Sequence, residues 1–294
     1  MHGVRRGCDQ SRPPIPSAAV YRFLVRPKWI AFHLLVAGAI ILMVNLAFWQ
    51  LRRLDERRQF NSEVRSRSEL SVVDVAVLVD GDVLVGGAAP NEIEWRRVTA
   101  TGTYLTEESV TIVNRSQNGQ AGADVLTPLE LSDGSLVLVD RGFVPGAVTM
   151  PPPPAGTVVV LGRVRRSQDR SLGQLTDPAE GDLTEAQRID IARLSPQMPG
   201  PVAPVYLDLT TSDPAEGDFP LPVPDPELSE GPHLSYTVQW FVFSVSVFVG
   251  WVLAVQRSAT KYERERLKAA TAATVATAGD HPTPADDAPT TMPI

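Results

Sequence analysis

The sequence predicts a membrane protein in which two transmembrane helices flank a mainly β (α+β) extracytoplasmic domain, built as an antiparallel sheet or a partial barrel. Three observations predict it. Two uncharged apolar runs have the length of a bilayer crossing, basic residues lie on both sides of the first but only beyond the second, and short strand patterns fill the chain between them.

Residues 30–48 read IAFHLLVAGAIILMVNLAF, interrupted only by His33 and Asn45 and bracketed by Trp29 and Trp49. Ala37-Gly38-Ala39 resembles a signal-cleavage tripeptide, but the apolar run continues past it, which favours a retained anchor. Residues 238–255 read VQWFVFSVSVFVGWVLAV, with Tyr236 and Trp240 at one end and Trp251 near the other. Between Val202 and Val238 there are seven acids and no lysine or arginine, whereas Arg257, Lys261, Arg264, Arg266 and Lys268 follow the second run. Positive charge stays on the cytoplasmic side, so the C-terminus is expected there. Two crossings bring the N-terminus, with Arg5, Arg6, Arg12, Arg22, Arg26 and Lys28, to the same side. The expected division is a cytoplasmic N-terminus over 1–29, a span over 30–48, the outer domain over 49–237, a span over 238–255 and a cytoplasmic tail over 256–294.

Residues 50–70 are charged with apolar positions at helical spacing, which predicts a helical continuation of the first span. Valine-rich runs then alternate with Asp80-Gly81, Gly86-Gly87, Asn118-Gly119 and Asp133-Gly134, each a turn signal. Strands are expected over 97–102, 109–113, 125–131, 136–139, 157–164 and 205–209. Asp182 before an apolar-periodic run and Pro196 after it predict one helix over 183–194. The acidic, proline-rich stretch 213–230 reads as a stiff solvated linker, with partner docking as the alternative. Residues 269–294, rich in Ala, Thr, Pro and Asp, are expected to be disordered.

Composition excludes several functions. The net charge of −7 leaves no basic footprint for nucleic acid, and a single cysteine, Cys8, permits neither an intrachain disulfide nor a Cys-x-x-Cys metal site. Four histidines, at 2, 33, 233 and 281, are too few for a multi-imidazole centre. No nucleophile motif accompanies Asp140-Arg141, so an enzyme is not expected.

Several spaced motifs carry a family resemblance. Trp49, Gln50 and Arg53 leave the first span, with Arg57 where the family has Lys and Ala47 as the small residue before the Trp. Gly102-Thr103-Tyr104, Thr127-Pro128-Leu129, Val139-Asp140-Arg141-Gly142-Phe143-Val144-Pro145, Gly162-x-Val-Arg165 and Pro204-Val205-Tyr206 follow in order. His233-Leu234-Ser235-Tyr236 and Gln239-Trp240-Phe241 open the second span, with Thr237 where Ala is usual and, earlier, Phe143 in place of Trp. Over residues 30–256 the chain resembles the surfeit locus protein one family, the cytochrome c oxidase assembly factors.

The resemblance implies a non-enzymatic role in the cell membrane: assisting delivery of haem a to the oxidase core subunit, with that subunit and haem a synthesis proteins as partners. It makes His233 the natural iron ligand and Tyr236, Trp240, Trp49, Gln50 and Arg53 its surroundings, with arginine available to haem propionates. Phe243 or Ser244 would also face the ring. Each residue has an ordinary reading beside this one. His233 can cap the helix, the aromatics can anchor at the headgroups, and Arg53 and Arg57 can bind lipid phosphate. His33 is either a second ligand or a histidine bonded to the other span. Arg141 is expected to be structural or haem-facing and Gly142 to serve a turn. Two alternatives remain: a non-haem scaffold for the nascent subunit, and a two-span envelope ligand-binding or sensor protein.

Overall fold

The computed structural model describes residues 18–146 and 148–278. In chain order, helix α1 (Pro27–Ser68) is followed by β1 (Val73–Asp74), β2 (Val79–Asp80), β3 (Val83–Leu84), the one-turn helix α2 (Pro90–Ile93), β4 (Arg97–Tyr104), β5 (Val110–Gln117), β6 (Gln120–Leu131), β7 (Leu136–Pro145), β8 (Thr157–Arg166), β9 (Glu185–Ala186), α3 (Ile191–Leu194), β10 (Val202–Asp213) and α4 (His233–Ala278). The chain forms two compact units, one from residues up to Asp55 and from Gly231 onward, the other from Glu56–Glu230. Helices α1 and α4 are each long and apolar enough to cross a membrane, and both outrun their apolar stretches. The charged continuation of the first run is helical to Ser68, as its spacing predicts. Residues 269–278, expected to be disordered, continue α4; residues 279–294 lie outside the described residues.

The second unit is built on a closed five-strand barrel, in the order β4-β8-β10-β7-β6 and back to β4. Closure rests on β6, which serves two neighbours along one edge. Its first half pairs with β5 as far as Leu126, and its end pairs with β4 at Leu129, Glu130 and Leu131. Pro128 sits at the change-over, with its carbonyl accepting from Leu105 N on that edge at 2.9 Å. A proline has no N–H to offer, so it is tolerated where the ladder changes partner. Across the seam, a Cβ at Gly102 would lie 2.2 Å from the Glu130 carbonyl oxygen, so only glycine lets the two strands close. The expected antiparallel sheet or partial barrel is therefore a complete barrel, and one of its pairs, β7 with β10, runs parallel.

Alternation does the rest. Val98, Ala100, Val137, Val139, Val158, Val160, Val164, Val205 and Leu207 fill the interior and are essentially inaccessible. Outward-facing Leu126, Leu136, Leu138 and Tyr206 are covered by Leu183, Ala186, Ile189, Ile191 and Leu194, giving a second core. This covering segment is the one expected to be a helix over 183–194, and only Ile191–Leu194 is helical. Glu185 and Ala186 instead pair in parallel with Thr111 and Ile112, and Asp190 caps the short helix through Arg193 N. Apolar spacing close to three thus came from a layer lying flat on a sheet. The Asn118-Gly119 turn does join β5 to β6, both residues having positive φ (53° and 78°), as a two-residue hairpin requires.

Residues 213–230 are not a solvated linker. They are tied to the barrel as a strap. Arg141, 1% exposed, places Nε and Nη2 on the two Glu216 carboxylate oxygens at 2.9 and 2.6 Å and donates to the Pro151 and Pro152 carbonyls. Leu221 and Phe143 exchange two backbone hydrogen bonds of 2.8 and 2.7 Å. Arg163 donates to the carbonyls of Val223 and Pro224 and pairs with Asp225, and Arg58 grips Glu230 through two bonds of 3.0 and 2.9 Å. The strap explains Gly142, expected to serve a turn but found inside β7. Its φ is 122°, and a Cβ there would lie 2.1 Å from the Leu221 carbonyl oxygen.

Beside the second core the sheet carries buried charge. Asp208 on β10 lies across from Asp140 on β7 and 3.8 Å from both Arg163 and Arg165. Burial pushes the Asp208 carboxyl up to about 6 despite those arginines. Burial also raises Asp140 well above the usual range, assisted by Asp124 and Asp208 and opposed by the Gly142 N–H.

Two outcomes follow for unfolding of the protein in detergent. Arg141→Met leaves Glu216 charged and unpaired and is expected to lower stability by about 3–5 kcal/mol, whereas R141M combined with Glu216→Leu costs less, since no lone charge remains. Equal losses in single and double variants would remove the clamp. Asp208, raised in the folded state, contributes stability that is complete below its ordinary value of 3.8 and lost as pH rises through about 6. Asp208→Asn should therefore abolish up to about 3 kcal/mol of pH dependence across that window, and an unchanged profile would overturn the assignment.

Candidate cofactor-binding site at the helix pair

In the first unit, α1 and α4 run antiparallel. The pairing is marked along its length by Gln50 with His233, Phe48 with Phe241 (ring centroids 6.0 Å), His33 with Trp251 and Arg26 with Tyr262. The helix between His33 and Gln50 matches that between Trp251 and His233, about 26 Å in each. Beyond the lower end, Phe23 stacks on Tyr262 at 4.7 Å, so the chain before α1 and the extension of α4 lie on one side of the pair. Ala47 and Leu54 on α1 and Thr237 and Ser244 on α4 are the buried positions of this apolar surface. Thr237 and Ser244 turn their hydroxyls back to the carbonyls of His233 and Trp240, at 3.0 and 2.9 Å. Their polar atoms are satisfied within the helix, leaving small surfaces that let two helices approach. The two departures from the family pattern that flank the site, Ala47 and Thr237, are both such small residues.

His233 begins α4, and its Nδ1 lies 2.8 Å from Gln50 Oε1. A carbonyl oxygen accepts only, so the imidazole donates from Nδ1–H and its Nε2 keeps a lone pair. On the Nε2 side stands Gly231, where a Cβ would come within 3.5 Å of both Nε2 and Cδ2. That is ordinary van der Waals distance, and the φ of 67° at Gly231 already favours glycine at this turn into α4. An imidazole whose second nitrogen is anchored to an amide oxygen is the usual arrangement of a metal-ligating histidine, because the anchor fixes tautomer and orientation together. The site offers one imidazole nitrogen. A metal held there must bring its other ligands, as a haem iron does. Among the described residues no group of three or more His, Cys, Asp or Glu converges on a metal position.

The other sequence-selected residues fall into two sets. Trp49 and Tyr236, 47% and 45% exposed, present rings on the open surface near this end, and half-buried Trp240 lies two turns along α4 with its ring edge-on to Phe243 at 6.0 Å. Arg53 is exposed one turn beyond Gln50 on α1. Arg57 belongs to the other unit, where its guanidinium lies over Phe60. Ser244, considered for a cofactor-facing role, is buried, and Arg141 is taken up by the strap. His33 accepts from Trp251 Nε1 at Nδ1, at 2.9 Å. Its neutral ring therefore carries the proton on Nε2, the nitrogen a ligand would need free. Sequence reading missed Gly231, whose only signal was a glycine two residues before the histidine.

The SURF1 family model matches residues 37–245, from within α1 past the buried Ser244 of α4. An uncharacterised SURF1-like protein of Mycobacterium tuberculosis is 33% identical over 235 residues, covering 78% of this chain and 83% of its own. SURF1-like proteins of Monosiga brevicollis (26% identical; 72% and 83% covered) and Rickettsia felis (19%; 75% and 95%) match over similar lengths. With its motifs distributed through barrel, strap and helix pair, the chain belongs to the SURF1 family.

Proposed function

We propose that this protein is a membrane-anchored assembly factor for cytochrome c oxidase that holds haem a at the α1–α4 end for delivery to the oxidase core subunit. The observation that carries the reading is His233 itself, whose Nδ1 is bonded to Gln50 Oε1 and whose Nε2 therefore carries the lone pair. The exposed rings of Trp49 and Tyr236 offer apolar faces to a macrocycle. When bound, haem would supply an iron for the His233 imidazole to hold. The chain's own contribution is to present a nitrogen in the correct tautomer at the end of an apolar helix pair. Membership in the SURF1 family supports the oxidase as the destination.

The protein is expected to sit in the cell membrane with both termini in the cytoplasm. Arg22, Arg26 and Lys28 precede α1's apolar run, while Arg257, Lys261 and Arg264 follow that of α4, and both groups lie at the same end of the pair.

Purified from cells that make haem a, the protein should show a haem a absorption spectrum. His233→Ala should abolish it, and Gln50→Leu should weaken retention by about tenfold while shifting the spectrum. A colourless wild-type protein that still co-purifies with the core subunit would replace the carrier with a scaffold. Topology is tested by thiol labelling: with Leu172→Cys, at 103% exposure in the barrel unit, an impermeant maleimide should label intact cells at position 172. The native Cys8 should react only after permeabilisation. The opposite pattern would remove the oxidase reading.

A further inference from the structure

The segment from Ser71 to Trp95 contains five acids and no lysine or arginine. Within it β2 and β3 pair only with each other. Val79 and Leu84 form the cross-strand pair that faces the barrel core, each 4% exposed, while the neighbouring pair, Asp80 and Val83, faces out. Val77, Val83 and Val85 are 60%, 59% and 50% exposed, an unusual concentration of β-branched aliphatic surface on so short a ribbon.

The acids divide by use. Asp74 caps the turn at Val75–Val77 by accepting from Ala76 N, Glu92 accepts from Ala89 N, and Glu94 pairs with Arg165 and Arg166. Asp80 and Asp82 make no ion pair or side-chain hydrogen bond among the described residues and are exposed beside the valines. The ribbon is thus an apolar centre with unneutralised carboxylates on its rim.

Charge selects among occupants. An anionic lipid surface would be repelled by Asp80 and Asp82. A second copy meeting this face symmetrically would set carboxylate against carboxylate. A polypeptide with an apolar contact between basic residues satisfies both parts of the surface. We propose that the β2–β3 ribbon is a docking surface for a partner polypeptide presenting an apolar contact flanked by lysine or arginine. The proposal stands apart from haem binding and uses none of the residues around His233.

The test places a benzophenone amino acid at Val83 of the full-length chain in native membranes, with Leu172 as a control position, and sequences the photo-adducts. The expected result is an adduct at 83, absent at 172, whose cross-linked peptide carries lysine or arginine beside apolar residues. Its yield should fall by about fivefold or more in Asp80→Asn/Asp82→Asn and in high salt, because rim charges are screened. An adduct with lipid or with a second copy, no adduct, the same adduct from both positions, or a yield indifferent to charge and salt would each overturn the proposal.

Discussion

A guanidinium inside a protein must be met by charge or it will not stay there, and Arg141 is 1% exposed. That constraint organises the second unit. Arg141 takes Glu216 from the strap and two carbonyls from the chain after β7, fixing both segments against one strand. Gly142 next to it then has to do without a side chain, because the strap's Leu221 carbonyl occupies that space. Further along the strap, buried Arg163 reaches Asp225, and Arg58 pairs with Glu230 at the surface. A stretch with four alternating prolines and no regular structure is therefore held by side chains. Its prolines reduce the entropy lost on fixing it. The strap leads in sequence directly to Gly231 and His233.

The helix pair obeys a different constraint. Helices apolar enough to cross a bilayer would find little hydrophobic drive to associate inside one, so contact there would depend on close approach and hydrogen bonds. Ala47, Thr237 and Ser244 provide the first, and the Gln50–His233 and Trp251–His33 bonds provide the second at the two ends. The two histidines are used in opposite senses. His233 donates to its anchor and keeps Nε2 bare; His33 accepts from its anchor and is protonated on Nε2. Hydrogen-bond polarity, not residue type, separates the candidate ligand from the structural residue.

Much of this was legible in the sequence. Apolar run length gave both helices, the charged 3.6-periodic continuation gave the extension of α1, and turn dipeptides at 118–119 and 133–134 located two hairpins. The family resemblance singled out His233, Gln50 and Trp49, and the helix pair brings the first two within hydrogen-bond distance. What escaped was whatever depends on a partner distant in the chain. Leu183, Ala186 and Leu194 look helical in isolation, and only the presence of β5 and the outer face of β7 makes them a covering layer. Barrel closure needs Gly102 to meet Glu130, and the strap needs Arg141 to meet Glu216. No local pattern encodes either meeting.

The packing of the barrel also bears on where a large apolar ligand can sit. Five strands enclose a space narrower than the eight-strand barrels that hold one small molecule, and here Val98, Val139, Val160 and Val205 fill it to essentially zero exposure. A cleft of about 350 Å³ under the strap, lined by Arg141 and Glu216 as well as Leu209, Pro220 and Pro222, is the more apolar, and two larger clefts on the barrel unit are polar. One, of about 590 Å³, is lined by Glu63, Glu94, Arg165, Arg166 and Asp169 and another, of about 670 Å³, by Asn114, Arg115, Gln168 and Arg188. Burying an apolar macrocycle in either would strand those charges without water. The exposed aromatic faces at the end of the helix pair carry no such penalty, and an imidazole with a bare nitrogen is already there. A barrel this tightly filled leaves no interior room for a large apolar ligand, so the proposed haem site rests on the helix pair alone.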